Sequence, residues 1–171
     1  MKTKPYCKYS IIFLNILMIM VTTPSFSVTQ TEQERLEMDK NLKHTLVQEA
    51  IKASKLAYAP YSHYMVGAAL LTKSGTIFAG SNIENASYGL ASCAERNTIF
   101  KAVTEGEKDF VMIAVVTKDG GFSCGACRQV MNEFNPELLV IIANDKGEIL
   151  HEKPLSKLLP HAFGPGNLDK K

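Results

Sequence analysis

Hydrophobic positions recur at helical spacing in the segment that follows residue 38. Residues three and four positions apart lie on the same face of a helix, so an amphipathic helix carries one apolar stripe. This stripe is formed by Leu42, Leu46, Val47, Ala50, Ile51, the small Ser54, and Ala57. The pattern predicts a helix over Asp39–Ala57, with Asp39 as its N-cap and Pro60 preventing its continuation.

Short apolar runs alternate with turn residues through the remaining sequence. Val66–Leu71 and Thr76–Gly80 flank Lys73-Ser74-Gly75, which is typical of a hairpin, and residues 81–92 predict a loop rich in Asn, Ser and Gly. Further on, the pattern predicts helix Ala94–Thr104, strand Val111–Thr117, helix Gly125–Phe134, strands Leu138–Ala143 and Glu148–His151, and a short helix Leu155–Leu159. This order of elements predicts a mixed α/β sheet covered by helices.

The first 37 residues have a different character. Three lysines within the first eight residues precede the uncharged run Ile11–Val21, and small polar residues follow it. This arrangement is typical of a secretory signal, and the run is short for a membrane-spanning helix of about 20 residues. Alternatively, translation starts at Met38. Under either interpretation we divide the chain into an N-terminal extension, residues 1–37, and a single folded domain, residues 38–171.

Composition narrows the class of protein. A chain of 171 residues with 46% hydrophobic and 21% charged residues is typical of one globular domain with a short extension, not of a disordered chain. The net charge of +2, without a block of lysines or arginines, argues against a nucleic-acid partner. Four cysteines are too few for a disulfide scaffold at this length.

Three of the cysteines stand where predicted helices begin. Cys93 precedes one helix, and Cys124 and Cys127 form a Cys-x-x-Cys pair at the start of another. Helix N-termini favour thiolates, and the two-residue spacer lets one ion accept both sulfurs of the pair. Three thiolates leave the fourth position of a tetrahedral Zn²⁺ free for water, as in catalytic sites. The alternatives for the Cys-x-x-Cys pair alone are a redox pair or half of a structural zinc site.

Charged residues next to these cysteines complete the expected chemistry. Glu95 follows Cys93 by two residues and is expected to face the reacting water as a proton shuttle, not to bind the metal. Arg96 is expected to donate to a thiolate sulfur and so to offset the negative charge of three thiolates. Arg128 also stands next to a cysteine of this group, and for Arg128 a surface or interface salt bridge is as good an interpretation as donation to a thiolate sulfur.

Several motifs together resemble one known family. They are Tyr58-Ala59-Pro60-Tyr61-Ser62-His63, Val66-Gly67-Ala68-Ala69-Leu70, Asn82-Ile83-Glu84-Asn85-Ala86, Cys93-Ala94-Glu95-Arg96, Cys124-Gly125-Ala126-Cys127-Arg128-Gln129-Val130, and Leu158-Leu159-Pro160 with Phe163-Gly164-Pro165. On these residues the chain resembles the small, homotetrameric, zinc-dependent cytidine deaminases from about Met38 onward. The resemblance implies a three-layer α-β-α fold with a mixed five-stranded sheet and one Zn²⁺ per chain.

The resemblance also assigns roles to individual residues. Asn82 and Glu84 would bind the ribose hydroxyls, and the backbone N–H of Ala94 would reach the base carbonyl. Glu95 would bind the ring N3 atom and move protons. Without the resemblance, the better interpretation of Asn82 is a turn residue, and that of Glu84 is a solvated loop charge.

Aromatic residues have roles that depend on the same resemblance. Tyr64 stands where the family usually has a Phe that stacks on the base, although it is also interpretable as a packed aromatic near a strand start. Tyr88 and Phe163 match positions that complete the site of a neighbouring subunit. The chain departs from the family pattern at Tyr64, at Met65, which replaces the usual Pro, and at Ser123, which replaces a Pro before the Cys-x-x-Cys pair.

The implied function is hydrolysis of cytidine and deoxycytidine to uridine and deoxyuridine plus ammonia, as in pyrimidine salvage. Alternatives are deamination of a cytosine-bearing antibiotic nucleoside, action on a polynucleotide, and a non-enzymatic zinc-stabilised module. The expected partners are a small nucleoside and three further copies of the chain, with no nucleic acid and no membrane for the mature domain. Thiolate ligands and a nucleoside substrate favour the cytoplasm, and a cleaved signal peptide would instead mean export.

Overall fold

The computed structural model of the protein describes residues 30–168. The signal-like run Ile11–Val21 lies outside these residues. Within the described part of the chain, no helix has the length and apolar character needed to cross a membrane.

The first helix, α1, spans Gln30–Ser54 and differs from the prediction at both ends. The predicted N-cap at Asp39 is wrong, because residues 30–38 contain neither Gly nor Pro and continue the helix. Asp39 instead pairs within the helix with Lys43, at 2.7 Å. Residues 30–41 are exposed, so no apolar stripe marked these turns. At the other end, the Ala57 N–H bonds back to the Ser54 carbonyl in a tight final turn.

Five strands form one mixed sheet, which confirms the predicted class of fold. The strands are β1 (Gly67–Thr72), β2 (Ile77–Ser81), β3 (Phe110–Thr117), β4 (Leu139–Asn144) and β5 (Ile149–Pro154). Their order is β2-β1-β3-β4-β5, and only β3 and β4 are parallel neighbours. Most predicted strand ends lie within one residue of those observed, whereas β5 extends three residues further than predicted.

Helices cover both faces of the sheet and make three layers. Helix α1 packs on one face, where Leu46, Val47 and Ala50 are fully buried. Helices α2 (Ala94–Thr104) and α3 (Gly125–Phe134) have the predicted bounds and pack on the other face. Strands β3 and β4 are buried from both sides, which explains their continuous apolar sequences. The short helix α4 (Leu155–Leu158) follows β5 directly.

The topology brings two helix N-termini to one edge of the sheet. Strands β2 and β3 are both antiparallel to β1, which lies between them, so their carboxyl ends point the same way. The chain leaves β2 toward α2 and leaves β3 toward α3. Loops beyond the carboxyl ends of strands are the usual position of ligand sites in α/β folds.

Candidate active site and metal centre

Three cysteines meet at the helix N-termini on this edge. Cys93 is the N-cap of α2, and Cys124 is the N-cap of α3. The Cys124 sulfur accepts from the Cys127 N–H at 3.4 Å and lies 3.4 Å from the Cys127 sulfur. All three sulfurs lie within 4.8 Å of one another. Zn–S bonds of about 2.3 Å at tetrahedral angles place sulfurs about 3.8 Å apart, so this group fits one zinc ion.

The environment of the cysteines favours a thiolate. Interaction with the Cys127 thiol lowers the pKa of Cys93 to about 6, and the same interaction together with burial raises the pKa of Cys127. The Arg96 Nη2 atom lies 4.0 Å from the Cys93 sulfur and donates to the Ala91 carbonyl at 3.1 Å. A guanidinium in this position offsets part of the charge that thiolates bring together.

A cavity of about 370 Å³ opens in front of the cysteine group. Its wall includes Cys93, Cys124, Glu95, Asn82, Glu84 and Tyr64. Glu95, in the first turn of α2, is only 3% exposed, and its carboxylate makes no hydrogen bond within residues 30–168. It is not a member of the three-cysteine group. Ala94 is fully buried as the first residue of α2, where helix geometry leaves its N–H without an intrahelical acceptor.

Asn82 and Glu84 lie on the same wall and also hold the backbone together. The Asn82 Oδ1 atom accepts from the Val66 N–H, and its Nδ2 atom donates to the Tyr64 carbonyl, both at 2.9 Å. Glu84 accepts from the Ser62 hydroxyl and from the Tyr61 N–H. These hydrogen bonds hold the pKa of the Glu84 carboxyl below its ordinary value, and the bond from the Ser62 hydroxyl has the largest effect.

Tyr64 lies on the cavity wall with its hydroxyl group bound. This hydroxyl donates to the Asp119 carboxylate at 2.7 Å. Burial raises the pKa of the Tyr64 hydroxyl, and the hydrogen bond from Tyr64 lowers the pKa of Asp119. The ring is therefore neutral, and the carboxylate beside it is charged at neutral pH.

Tyr88 and Phe163, the other two aromatic residues predicted for the site, do not line this cavity within the described part of the chain. Tyr88 is 77% exposed and lines a neighbouring groove, which shares Ser62, Glu84 and Ala91 with the cavity. Phe163 is 59% exposed and is not among the residues that line the cavity. Its carbonyl accepts from Gln129 and Asn132, which ties the C-terminal segment to α3.

The departures from the family pattern have distinct positions. Met65 lines a separate cavity and not the one that contains the cysteines. Ser123 is buried, and its hydroxyl makes no hydrogen bond within the described part of the chain. The Arg128 guanidinium donates to the carbonyls of Ser123 and Leu158, both at 2.8 Å, so it fixes the turn before Cys124 instead of forming a salt bridge.

The sequence did not indicate Ser62, Asp119 or Phe122 as site residues. Ser62 is a hydrogen-bond partner of Glu84, and Phe122 lines the cavity and stacks on His151 with ring centroids 4.9 Å apart. Asp119 lies between the predicted strand Val111–Thr117 and the predicted helix Gly125–Phe134, and no motif marks it. The available signal was its position between a buried strand and a metal-ligand motif, where the fold places its ligand sites.

Comparison with known proteins identifies the family. Residues 40–143 match the family described as the cytidine and deoxycytidylate deaminase zinc-binding region. The cytidine deaminase of Halalkalibacterium halodurans is 53% identical over 129 residues, which is 74% of this chain and 95% of that protein. The cytidine deaminase of Sporosarcina psychrophila is 48% identical over 72% of this chain and 92% of its own length.

Solved structures agree with this assignment. The crystal structure of cytidine deaminase from Burkholderia pseudomallei matches with a TM-score of 0.67 at 47% identity, covering 70% of this chain and 98% of that one. The Mycobacterium tuberculosis enzyme matches with a TM-score of 0.63 at 37% identity, covering 70% and 95%. The chain belongs to the cytidine and deoxycytidylate deaminase family, and Cys93, Cys124 and Cys127 form a group that is positioned to bind a metal ion within the matched zinc-binding region.

Proposed function

We propose that the protein is a cytidine deaminase that hydrolyses cytidine and deoxycytidine to uridine and deoxyuridine with release of ammonia. The observation that carries this proposal is a buried carboxylate, Glu95, which lines the same cavity as Cys93 and Cys124 of the three-cysteine group. Family membership and 53% identity to a cytidine deaminase support the same reaction. A closed structural zinc site would instead require a fourth protein ligand, and the described residues contribute three.

The residues divide the chemistry between them. The thiolates of Cys93, Cys124 and Cys127 would hold the zinc ion, which would supply Lewis acidity for activating water at neutral pH. Glu95 accepts a proton from the attacking water and delivers it to N3 of the base. A second proton passes to the exocyclic nitrogen, which leaves as ammonia, so water and cytidine balance uridine and ammonia. The Ala94 N–H, at the positive end of α2, would bind the base carbonyl.

The sugar is held by Asn82 and Glu84. Each side chain already binds backbone groups, which fixes its orientation toward the cavity. An amide retains one N–H and one lone pair after two hydrogen bonds, and a carboxylate has about four acceptor positions, so both can bind hydroxyl groups as well. Tyr64 supplies an aromatic wall for the base.

The charge of the cavity favours a nucleoside over a nucleotide. Two carboxylates, Glu84 and Glu95, line it, and residues 30–168 contribute no lysine or arginine to its lining. A phosphate would therefore meet two carboxylates and no lysine or arginine side chain to bind it, and juxtaposed like charges cost several kcal/mol. The same feature argues against a polynucleotide substrate, which needs a positively charged groove.

A substrate comparison tests this assignment. Ammonia release is measured with cytidine, deoxycytidine, cytidine 5′-monophosphate and a cytosine-bearing antibiotic nucleoside under the same conditions. We expect kcat/KM for the monophosphate to be about 100-fold or more below that for cytidine. Equal turnover of the two would contradict a nucleoside-specific site, and preference for the antibiotic nucleoside would favour that alternative.

The site is completed by assembly of four chains. Tyr88 and Phe163 are exposed aromatics in a loop and in the C-terminal segment, and each would close the cavity of a neighbouring chain. Closed symmetric oligomers are the common form of such assemblies. Residues 38–171 would form the catalytic domain, acting in the cytoplasm, where thiolates stay reduced.

A further inference from the structure

A hydrogen-bonded chain of side chains connects two loops at the mouth of the cavity. The Tyr64 hydroxyl donates to Asp119 at 2.7 Å, and the Thr117 hydroxyl donates to the same carboxylate oxygen at 3.1 Å. The Thr117 hydroxyl in turn accepts from the Gly121 N–H at 2.7 Å. The segment before β1 is thereby joined to the loop after β3, across 55 residues of sequence.

This connection borders the substrate cavity directly. Tyr64, Thr117 and Gly121 line the same cavity as Glu95 and the metal group. A side chain at Gly121 would place its Cβ atom 2.7 Å from the Tyr64 hydroxyl oxygen, so the phenol fits closely against the loop backbone. The Tyr64 backbone is held as well, because its N–H donates to the Ser62 hydroxyl oxygen and its carbonyl accepts from the Asn82 Nδ2 atom.

A phenylalanine at position 64 would lack the group that reaches Asp119. An exposed aromatic ring without that bond can occupy several rotamers, and fixing it costs conformational entropy when the ligand binds. With the bond, part of that entropy is already lost before the substrate arrives, which strengthens binding without changing the reacting atoms.

We propose that Asp119 is a positioning residue that holds the Tyr64 ring on the cavity wall in the orientation that receives the base. The inference rests on the proposed function, because the base is the group that the ring would contact. It concerns binding more than chemistry, since neither residue is placed to move protons at the base.

The test is a double-mutant cycle in the zinc-loaded enzyme with Tyr64→Phe, Asp119→Ala and their combination. We expect each single variant to raise the KM for cytidine about fivefold, the scale of one net hydrogen bond, with kcat within twofold of wild type. The combination should be no worse than either single variant, because both remove the same bond.

Asp119→Asn, whose amide oxygen can still accept from Tyr64, should restore KM to within about twofold. Asp109→Ala, an exposed carboxylate remote from the cavity, is the matched control.

Additive effects in the cycle, or a wild-type KM in Asp119→Ala, would overturn the positioning role. The dissociation constant of uridine, measured by calorimetry, separates this outcome from failure of the proposed function. If the wild type bound uridine, and more weakly after Asp119→Ala, but released no ammonia from cytidine, the reaction would be wrong and the positioning role correct. If the wild type neither bound uridine nor turned over cytidine, both would be wrong.

Discussion

Ser123 has a buried hydroxyl group that the surrounding protein does not satisfy. It lies directly before Cys124, it is 3% exposed, and its oxygen has no hydrogen-bond partner among the described residues. Burial of an unpaired hydroxyl group costs about 1–3 kcal/mol. Arg128 donates to the Ser123 carbonyl, so the turn is fixed by a contact that does not involve this hydroxyl.

Replacement of this hydroxyl should therefore stabilise the protein. We expect Ser123→Ala to raise the free energy of unfolding by about 1 kcal/mol, measured by thermal unfolding of the zinc-loaded protein. Ser87→Ala removes an exposed hydroxyl and should change it by less than about 0.5 kcal/mol. A lower melting temperature for Ser123→Ala would show that this hydroxyl has a partner of its own.

Contacts between single residues could be predicted only where a motif marks both partners. Cys93 and the Cys-x-x-Cys pair could be grouped across 31 residues because thiols at two predicted helix starts have the chemistry of metal binding, and Glu95 is adjacent to the first of them. The bond between Tyr64 and Asp119 could not be predicted, since it joins positions 55 residues apart in two loops without regular pattern. The separation of Met65 from the cysteine cavity likewise depends on side-chain direction in a loop.

Close contact between α1 and β1 depends on the absence of a side chain at Gly67. A Cβ atom there would overlap the Ala50 carbonyl oxygen and lie 2.6 Å from the Ser54 N atom. Both are backbone atoms of the helix, so a rotamer change cannot relieve the contact. The requirement explains why β1 begins with glycine where it meets the end of α1.

Gly67→Ala should consequently be strongly destabilising. We expect a loss of about 1–3 kcal/mol or more in the free energy of unfolding, because the helix must move away from the sheet. Gly166→Ala, which meets no atom within 4 Å, is the matched control and should have little effect. Thermal unfolding of both variants checks this, and equal melting temperatures would mean that α1 does not pack as described.

Elements with a buried face were the ones that sequence predicted well. Helices α2 and α3 carry such a face and end where expected. The first turns of α1 have none, so only the absence of helix-breaking residues could have indicated them. The order of strands in the sheet could not be predicted from the apolar pattern either, because a buried strand has the same kind of apolar sequence at several positions of a sheet.

Exposed aromatic residues give the clearest prediction for the whole molecule. Tyr88 and Phe163 expose 77% and 59% of their surface in one chain, although both are large and apolar. We expect light scattering to show a tetramer at micromolar concentration.

Phe163→Ala should weaken cytidine binding by about 1–3 kcal/mol, the scale of one aromatic–base contact, while zinc content stays at one per chain. Phe100→Ala, an exposed phenylalanine of α2 that lines neither cavity, is the control. A fully active monomer would contradict the shared site and leave the zinc chemistry intact.

The measurement that tests the central claim most directly is turnover and zinc content of Glu95→Gln beside wild type. The claim is that Glu95 moves protons in the cavity and does not bind the metal, so both proteins should contain one zinc per chain. Uridine formation from cytidine should fall by at least about 10²–10⁴-fold in the variant, the contribution of a general acid–base group. Glu105→Gln, at the exposed end of the same helix, should retain wild-type turnover. Activity within tenfold of wild type, or loss of zinc from Glu95→Gln, would contradict this account.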